Sequence, residues 1–185
     1  MKKIAIVLLL FGSALLHAQN PQLDAAKAKI DSKDFDGAKT ELKKIIDTNP
    51  ENKEAFNLRG IARMGLNDFY GAIGDFNVAL EIDSTLAESW NNRGEAKMAL
   101  GDDEGAVQDF DKAIKFNAKL TNAYTNRGLA KYNLEDLQGA YFDFSKALEL
   151  GPADADKYFN RGVTKAELGE FISSIVDHSK ALALQ

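Results

Sequence analysis

The sequence predicts an all-α fold, an α-solenoid of about five stacked helix-turn-helix units. Three observations lead to this fold class. The same residue types recur every 34 residues, large apolar residues recur three or four positions apart inside each block, and turn-forming residues separate the apolar stretches. The composition agrees with a folded chain, because 45% of the 185 residues are apolar, 28% are charged and only 3 are proline.

Residues 1–18 are expected to be removed from the mature protein. Residues 1–3 are a short basic start, residues 4–16 are an apolar run, and small Ala18 precedes the expected cleavage site. These are the three parts of a secretory signal peptide, so the mature chain should begin at Gln19. The apolar run extends about 20 Å as a helix, less than the ~30 Å hydrocarbon core. Export to the periplasm or exterior is therefore predicted, with a retained N-terminal membrane anchor as the alternative.

Residues 19–185 are a repeat array with predicted blocks at 19–52, 53–86, 87–120, 121–154 and 155–185. The aromatic column holds Phe56, Trp90, Tyr124 and Tyr158, and the glycine column holds Gly60, Gly94, Gly128 and Gly162. Two small columns hold Ala72, Ala106, Ala140 and Ser174, then Ala79, Ala113, Ala147 and Ala181. Between them lie Phe76, Phe110, Phe144 and His178. Such regular spacing indicates a stacked array, because no single unit could bury its apolar face alone.

Each block is predicted to form two antiparallel helices. In the second block the first helix passes through 56–66, and Ile73, Phe76 and Leu80 mark the second. Turn and N-cap residues separate the helices at Asn67-Asp68, Gly101-Asp102, Glu135-Asp136 and Gly169-Glu170. Pro50 and Pro152 end the second helix of their blocks. The small columns should allow the two helices of a pair to approach closely.

The order aromatic, Gly, Ala, Phe, Ala and Pro over 34 residues resembles the tetratricopeptide repeat (TPR). The resemblance covers residues 19–185 and implies a right-handed superhelix with a concave inner groove. It also implies a binding scaffold, although the fold does not name a partner. The chaperone-tail clamp of some family members needs Lys and Arg in the groove. This inner face offers Asn and Glu, so the resemblance does not extend to that ligand class.

An arginine column precedes the glycines, and an aspartate follows each arginine sixteen residues later. The pairs are Arg59 with Asp75, Arg93 with Asp109, Arg127 with Asp143, and Arg161 with Asp177. Another base stands four residues after each arginine, at Arg63, Lys97, Lys131 and Lys165. One interpretation is a basic stripe for phosphate or acidic ligands. We favour a structural ladder of Arg–Asp pairs that bridge the two helices of each block, because arginine suits partly buried bidentate pairing.

The family resemblance places a ligand groove on the inner face of the first helices. That face carries Asn57, Ile61, Met64, Asn91, Glu95, Met98, Asn122, Thr125, Leu129, Tyr132, Phe159 and Val163. Asparagine can donate and accept hydrogen bonds from an extended peptide, while Met and Tyr supply adaptable apolar contact. The alternative is that the asparagines are merely solvated and the methionines fill the seams between helices.

The last block should expose Ile175, Leu182 and Leu184, because no further block follows to cover them. The equivalent residues of interior blocks, such as Leu80 and Phe116, should pack on the following block. We expect this C-terminal contact face to meet a second copy or a partner, and pairing about a two-fold axis is favoured.

The sequence predicts a non-enzymatic protein-interaction scaffold of the bacterial envelope or periplasm, with a protein or peptide partner. The alternative is a structural or oligomer-building subunit that uses its repeat ends. No cofactor, metal or catalytic residue is predicted, since there is no cysteine and no catalytic motif. The formal net charge of −5 has the wrong sign for nucleic-acid binding. After signal cleavage no stable membrane insertion is expected.

Overall fold

The computed structural model describes residues 21–184, which form ten α-helices. The predicted signal peptide and the expected mature start at Gln19 lie outside this described part. The helices are α1 (Pro21–Asp31), α2 (Phe35–Thr48), α3 (Lys53–Gly65), α4 (Phe69–Ile82), α5 (Ala87–Ala99), α6 (Asp103–Phe116), α7 (Thr121–Asn133), α8 (Leu137–Leu150), α9 (Ala155–Glu167) and α10 (Phe171–Ala183). The predicted all-α solenoid is confirmed.

The helices pack as five successive pairs, and each pair packs on the next. The first helices of neighbouring pairs also contact one another, α1 with α3, α3 with α5, α5 with α7, and α7 with α9. Within residues 21–184 the second helices make no such contact with one another. The first helices therefore line the inner side of the stack, and the second helices form its outer side.

The glycine column makes room for a phenylalanine ring of the partner helix. Phe76, Phe110 and Phe144 are almost completely buried. A Cβ atom added at Gly94 would lie 2.6 Å from the Phe110 ring, and one at Gly60 would lie 2.5 Å from the Phe76 ring. The small residue thus admits a side chain between the helices, whereas the sequence led us to expect close approach of the two backbones.

The turn within each pair has one left-handed residue, followed directly by the N-cap of the second helix. The left-handed positions are Lys33, Asn67, Gly101, Glu135 and Gly169, with φ between 60° and 82°. In four pairs the N-cap is an aspartate that accepts the backbone N–H three residues later, namely Asp34, Asp68, Asp102 and Asp136. Glu170 stands at this position in the fifth pair, but its side chain makes no capping hydrogen bond. The predicted N-cap residue therefore lies at the expected position without capping the helix.

The C-terminal contact face is exposed, with Ile175, Leu182 and Leu184 at 63%, 70% and 49% exposure. Interior equivalents behave differently from one another. Leu80 is buried at 6%, whereas Phe116, the last residue of α6, is 40% exposed.

Candidate functional site

Each arginine of the column donates two hydrogen bonds to the aspartate sixteen residues later. Nε and Nη2 of Arg127 lie 2.9 and 2.6 Å from the two carboxylate oxygens of Asp143. The same bidentate geometry joins Arg59 to Asp75, Arg93 to Asp109, and Arg161 to Asp177. The four aspartates are at most 3% exposed. Each pair links the first helix of its block to the second.

A second base binds each of these carboxylates. The contacts are Arg63 to Asp75 at 3.2 Å, Lys97 to Asp109 at 2.9 Å, Lys131 to Asp143 at 2.8 Å, and Lys165 to Asp177 at 2.8 Å. The sequence showed these bases, but it did not reveal that each of them binds the ladder aspartate of its own block. Burial disfavours ionisation of Asp177, but the hydrogen bonds from Arg161 and Lys165 outweigh it and hold the pKa of Asp177 below its usual value.

The ladder also connects neighbouring blocks. Nη1 of Arg93 donates to Asn77 Oδ1 at 2.7 Å, and Arg127 and Arg161 reach Asp111 and Ser145 at the equivalent position of the preceding second helix. Each guanidinium also lies over the aromatic ring three residues before it, as Arg93 does over Trp90 at 4.5 Å. The arginine column is thus occupied by contacts within the protein.

Asparagine side chains form hydrogen-bonded bridges between the first helices. Asn57 Oδ1 accepts from Ser89 Oγ at 2.9 Å and from Asn92 Nδ2 at 3.3 Å. One helix further on, Asn91 Nδ2 donates to Glu95 Oε1 at 2.7 Å, and Asn126 Nδ2 donates to the same oxygen at 2.6 Å. These amides join α3 to α5 and α5 to α7.

Asn91 does not lie on an exposed inner face, contrary to the sequence-based expectation. It is only 3% exposed, because its amide is used to hold Glu95 and to accept from Asn126. Ile61 is likewise half-buried against the apolar clusters between α3 and its neighbours. Neither residue lines the cavities described below.

Two adjacent cavities lie along the first helices. The first, which we call the Glu95 cavity, has a volume of about 410 Å³ and is lined by Met64, Glu95, Met98, Ala99, Asn122, Thr125 and Asn126. The second, the aromatic cavity, has a volume of about 300 Å³ and is lined by Leu129, Tyr132, Asn133, Phe144, Phe159, Asn160 and Val163. Nine of the twelve predicted groove residues therefore line one of the two cavities, while Asn57, Ile61 and Asn91 do not.

Sequence reasoning missed several lining residues, among them Asn126 and Asn160. A signal for them was present, since the triplet Asn-Arg-Gly occurs at 92–94, 126–128 and 160–162. Its asparagine precedes the ladder arginine and faces the neighbouring first helix, as the bonds of Asn92 and Asn126 show.

Glu95 is the charged residue of the Glu95 cavity, and no ion pair within residues 21–184 includes it. Burial raises the pKa of Glu95, and the amide hydrogen bonds from Asn91 and Asn126 reduce that shift without cancelling it. At the same position of α3, α7 and α9 stand Ile61, Leu129 and Val163, and α1 has Lys27 there. A single carboxylate thus interrupts an apolar row from α3 to α9.

The ten helices, their pairwise stacking and the 34-residue columns define an α-solenoid of helix-turn-helix repeats. Family models agree: a tetratricopeptide repeat model matches residues 23–87, a TPR repeat model matches 94–135, and another tetratricopeptide repeat model matches 121–154. The chain belongs to the tetratricopeptide repeat family. No curated protein sequence matches it significantly. No helix within residues 21–184 is long and apolar enough to cross a membrane.

Solved structures share this fold. A crystal structure of MamA has a TM-score of 0.77 at 24% identity, covering 85% of this chain and 92% of that chain. YrrB, described as a TPR protein with an unusual peptide-binding site, has a TM-score of 0.72 at 20% identity, covering 90% and 86%. The first TPR of Spaghetti (RPAP3), bound to the HSP90 peptide SRMEEVD, has a TM-score of 0.62 at 23% identity, covering 63% and 93%.

Proposed function

We propose that this protein is a non-enzymatic interaction scaffold that binds an extended peptide or protein segment along its first helices. The observation that carries the proposal is the pair of adjacent cavities on the inner side of the stack. They combine exposed or half-buried Met98, Tyr132 and Phe159 with the amides of Asn122 and Asn126. Apolar pockets with a few convergent polar groups are the usual form of a ligand site.

Two structural relatives support the choice of a peptide as ligand. YrrB is described as having a peptide-binding site, and the Spaghetti domain is bound to a peptide. At 20% and 23% identity these proteins share the fold with this chain, so the ligand class has to be tested directly.

Peptide binding is tested with a positional-scanning library of N-acetylated, C-amidated decapeptides, read out by fluorescence polarisation. Tyr132→Ala/Phe159→Ala should weaken binding about 10-fold or more, because it removes two of the three aromatic side chains that line the aromatic cavity. The matched control is Tyr70→Ala/Phe142→Ala, which removes two exposed aromatic residues from the second helices α4 and α8. Equal loss in both variants, or no binding by the wild type, would contradict the proposal.

We also propose that the protein is exported, on the basis of the basic start, apolar run and small residue in positions 1–18. The mature chain should begin at Gln19 in the periplasm or outside the cell. Intact-mass measurement of protein purified from its native host tests this, and a mass that retains residues 1–18 would favour the membrane-anchored alternative.

A second candidate function, building a homodimer, is favoured by the apolar surface of α10. Six large apolar side chains of this helix and its cap are about half exposed or more: Phe171, Ile172, Ile175, Val176, Leu182 and Leu184. Asp177 is buried in the ladder, so Lys180 is the main exposed charge on the helix. We propose that a second copy covers this face, since a two-fold contact of one near-neutral apolar helix with itself is closed and self-complementary.

A further inference from the structure

Glu95 is a partly buried carboxylate without a cation. The four ladder aspartates, which are also buried, each bind two basic side chains. Glu95 receives only two neutral amide donors, Asn91 Nδ2 and Asn126 Nδ2. Placing a carboxylate out of water without a counter-charge is unfavourable, and the four ladder aspartates avoid it.

One oxygen of the carboxylate is held in place while the other has no protein partner. Both amides bind Oε1, and no hydrogen bond within residues 21–184 reaches Oε2. In that part of the chain the only buried side-chain polar atoms without a hydrogen-bond partner are Arg63 Nε and His178 Nε2, so Oε2 is accessible to solvent. Since Glu95 lines the Glu95 cavity, a ligand entering the cavity can reach this oxygen.

The bases nearest to Glu95 on the described first helices already bind other carboxylates. Arg63, Lys97 and Lys131, which lie on the three first helices around the cavity, are committed to Asp75, Asp109 and Asp143. Glu88, on the same helix as Glu95, adds a further negative charge nearby. The missing cation must come from outside this cluster.

The geometry points to a basic side chain of the bound peptide, a lysine or an arginine, that enters the Glu95 cavity and donates to Glu95 Oε2. Met64 and Met98 line the cavity and can contact the aliphatic part of such a side chain, and Thr125 and Asn122 supply polar atoms to the same cavity. This inference rests on the proposed peptide-binding function and specifies its ligand.

The position of the aromatic cavity adds a spacing rule. The Glu95 cavity lies where α5 meets α7, and the aromatic cavity lies where α7 meets α9. Neighbouring packed helices are about 10 Å apart, and an extended peptide advances about 3.3 Å per residue. The basic residue and a large apolar residue should therefore stand about three positions apart in the ligand.

The decapeptide library described above tests this inference, because acetylated and amidated ends leave side chains as the only source of positive charge. Wild-type protein should select lysine or arginine at one position and a large apolar residue about three positions away. Replacing that lysine by norleucine in a synthetic peptide should weaken binding about 10- to 100-fold, or ~1.4–2.8 kcal/mol. This comparison needs no protein variant, so it does not depend on how a mutant folds.

Glu95→Gln keeps the size of the side chain and the amide-bound oxygen but removes the charge. It should bind the lysine and norleucine peptides equally, while Glu81→Gln, with the same charge change on α4, should behave as wild type. Peptides selected without a basic preference, or a preference that survives in Glu95→Gln, would overturn the inference and leave the scaffold function standing. If the wild type binds no peptide, both the inference and the proposed function fail.

Discussion

Arg127 shows how much one side chain contributes to the cohesion of the array. Its guanidinium binds Asp143 on the second helix of its own block and Asp111 on that of the preceding block, and it covers the Tyr124 ring. Burial opposes the charge of Arg127, but these carboxylates outweigh burial and raise its pKa, so it remains charged throughout the accessible pH range.

We predict that Arg127→Ala lowers the free energy of unfolding by ~1–3 kcal/mol, because it leaves the buried Asp143 with Lys131 alone. Adding Asp143→Ala should restore part of the loss, and Lys112→Ala, an exposed base on α6, should have little effect. Urea denaturation measures the free energy of unfolding of all these variants. An unchanged unfolding free energy together with lost binding of an anionic ligand would instead support the basic-stripe interpretation.

Among the helix-turn-helix elements, the turn of the fourth pair carries local strain. Glu135 has φ of 62°, in the left-handed region, where the equivalent residues of the third and fifth pairs are Gly101 and Gly169. A side chain with a Cβ atom is less stable there than glycine, which adopts this conformation without steric cost. The third and fifth pairs thus have glycine at the position where the fourth pair, like the first with Lys33, has a residue with a Cβ atom.

Glu135→Gly should therefore raise the free energy of unfolding by ~0.5–1 kcal/mol, net of the extra backbone freedom of glycine in the unfolded chain. Gly101→Ala is the reverse change at the equivalent position and should lower it by a similar amount. Thermal denaturation measures the stability of both variants. Stabilisation by Gly101→Ala would show that the left-handed conformation is not what limits these turns.

At the scale of the whole molecule, the apolar face of α10 determines whether the protein is a monomer or associates through this face. Fully burying an aliphatic side chain of this size is worth ~1.5–3 kcal/mol, so leaving several in water favours association. Because Lys180 is the main exposed charge on this helix, little repulsion between copies opposes a two-fold contact.

Sedimentation velocity over a concentration series should show a monomer-dimer equilibrium for the wild type. Leu182→Glu/Leu184→Glu should shift it to monomer, because the contact would then bury charges without partners. Tyr70→Glu/Phe142→Glu, placed on exposed aromatic residues of α4 and α8, is the matched control and should still dimerise. A wild type that stays monomeric at every concentration would refute the homodimer and leave only a different protein as the occupant of this face.

The sequence by itself determined the features that repeat. A 34-residue period, helical spacing within each block and the turn residues were enough to predict the α-solenoid, because each depends on contacts within a block or with its immediate copy. The constant offset from Arg127 to Asp143 likewise identified two residues that the structure brings together. Because the sequence is periodic, the residue pattern of each contact recurs in several blocks and can be recognised there. These predictions succeeded for that reason.

Only the tertiary structure decided which inner-face residues are available to a ligand. Asn91 and Asn126 are both amides on adjacent first helices, yet Asn91 is buried while Asn126 lines a cavity. Glu95 occupies a column that is aliphatic in α3, α7 and α9, and its isolation became visible only when Arg63, Lys97 and Lys131 were found on other carboxylates. The physical reason is that burial on this face depends on the rotation and distance between neighbouring blocks. Those quantities follow from the packing of all the side chains at each interface, and a residue pattern along one helix does not contain them.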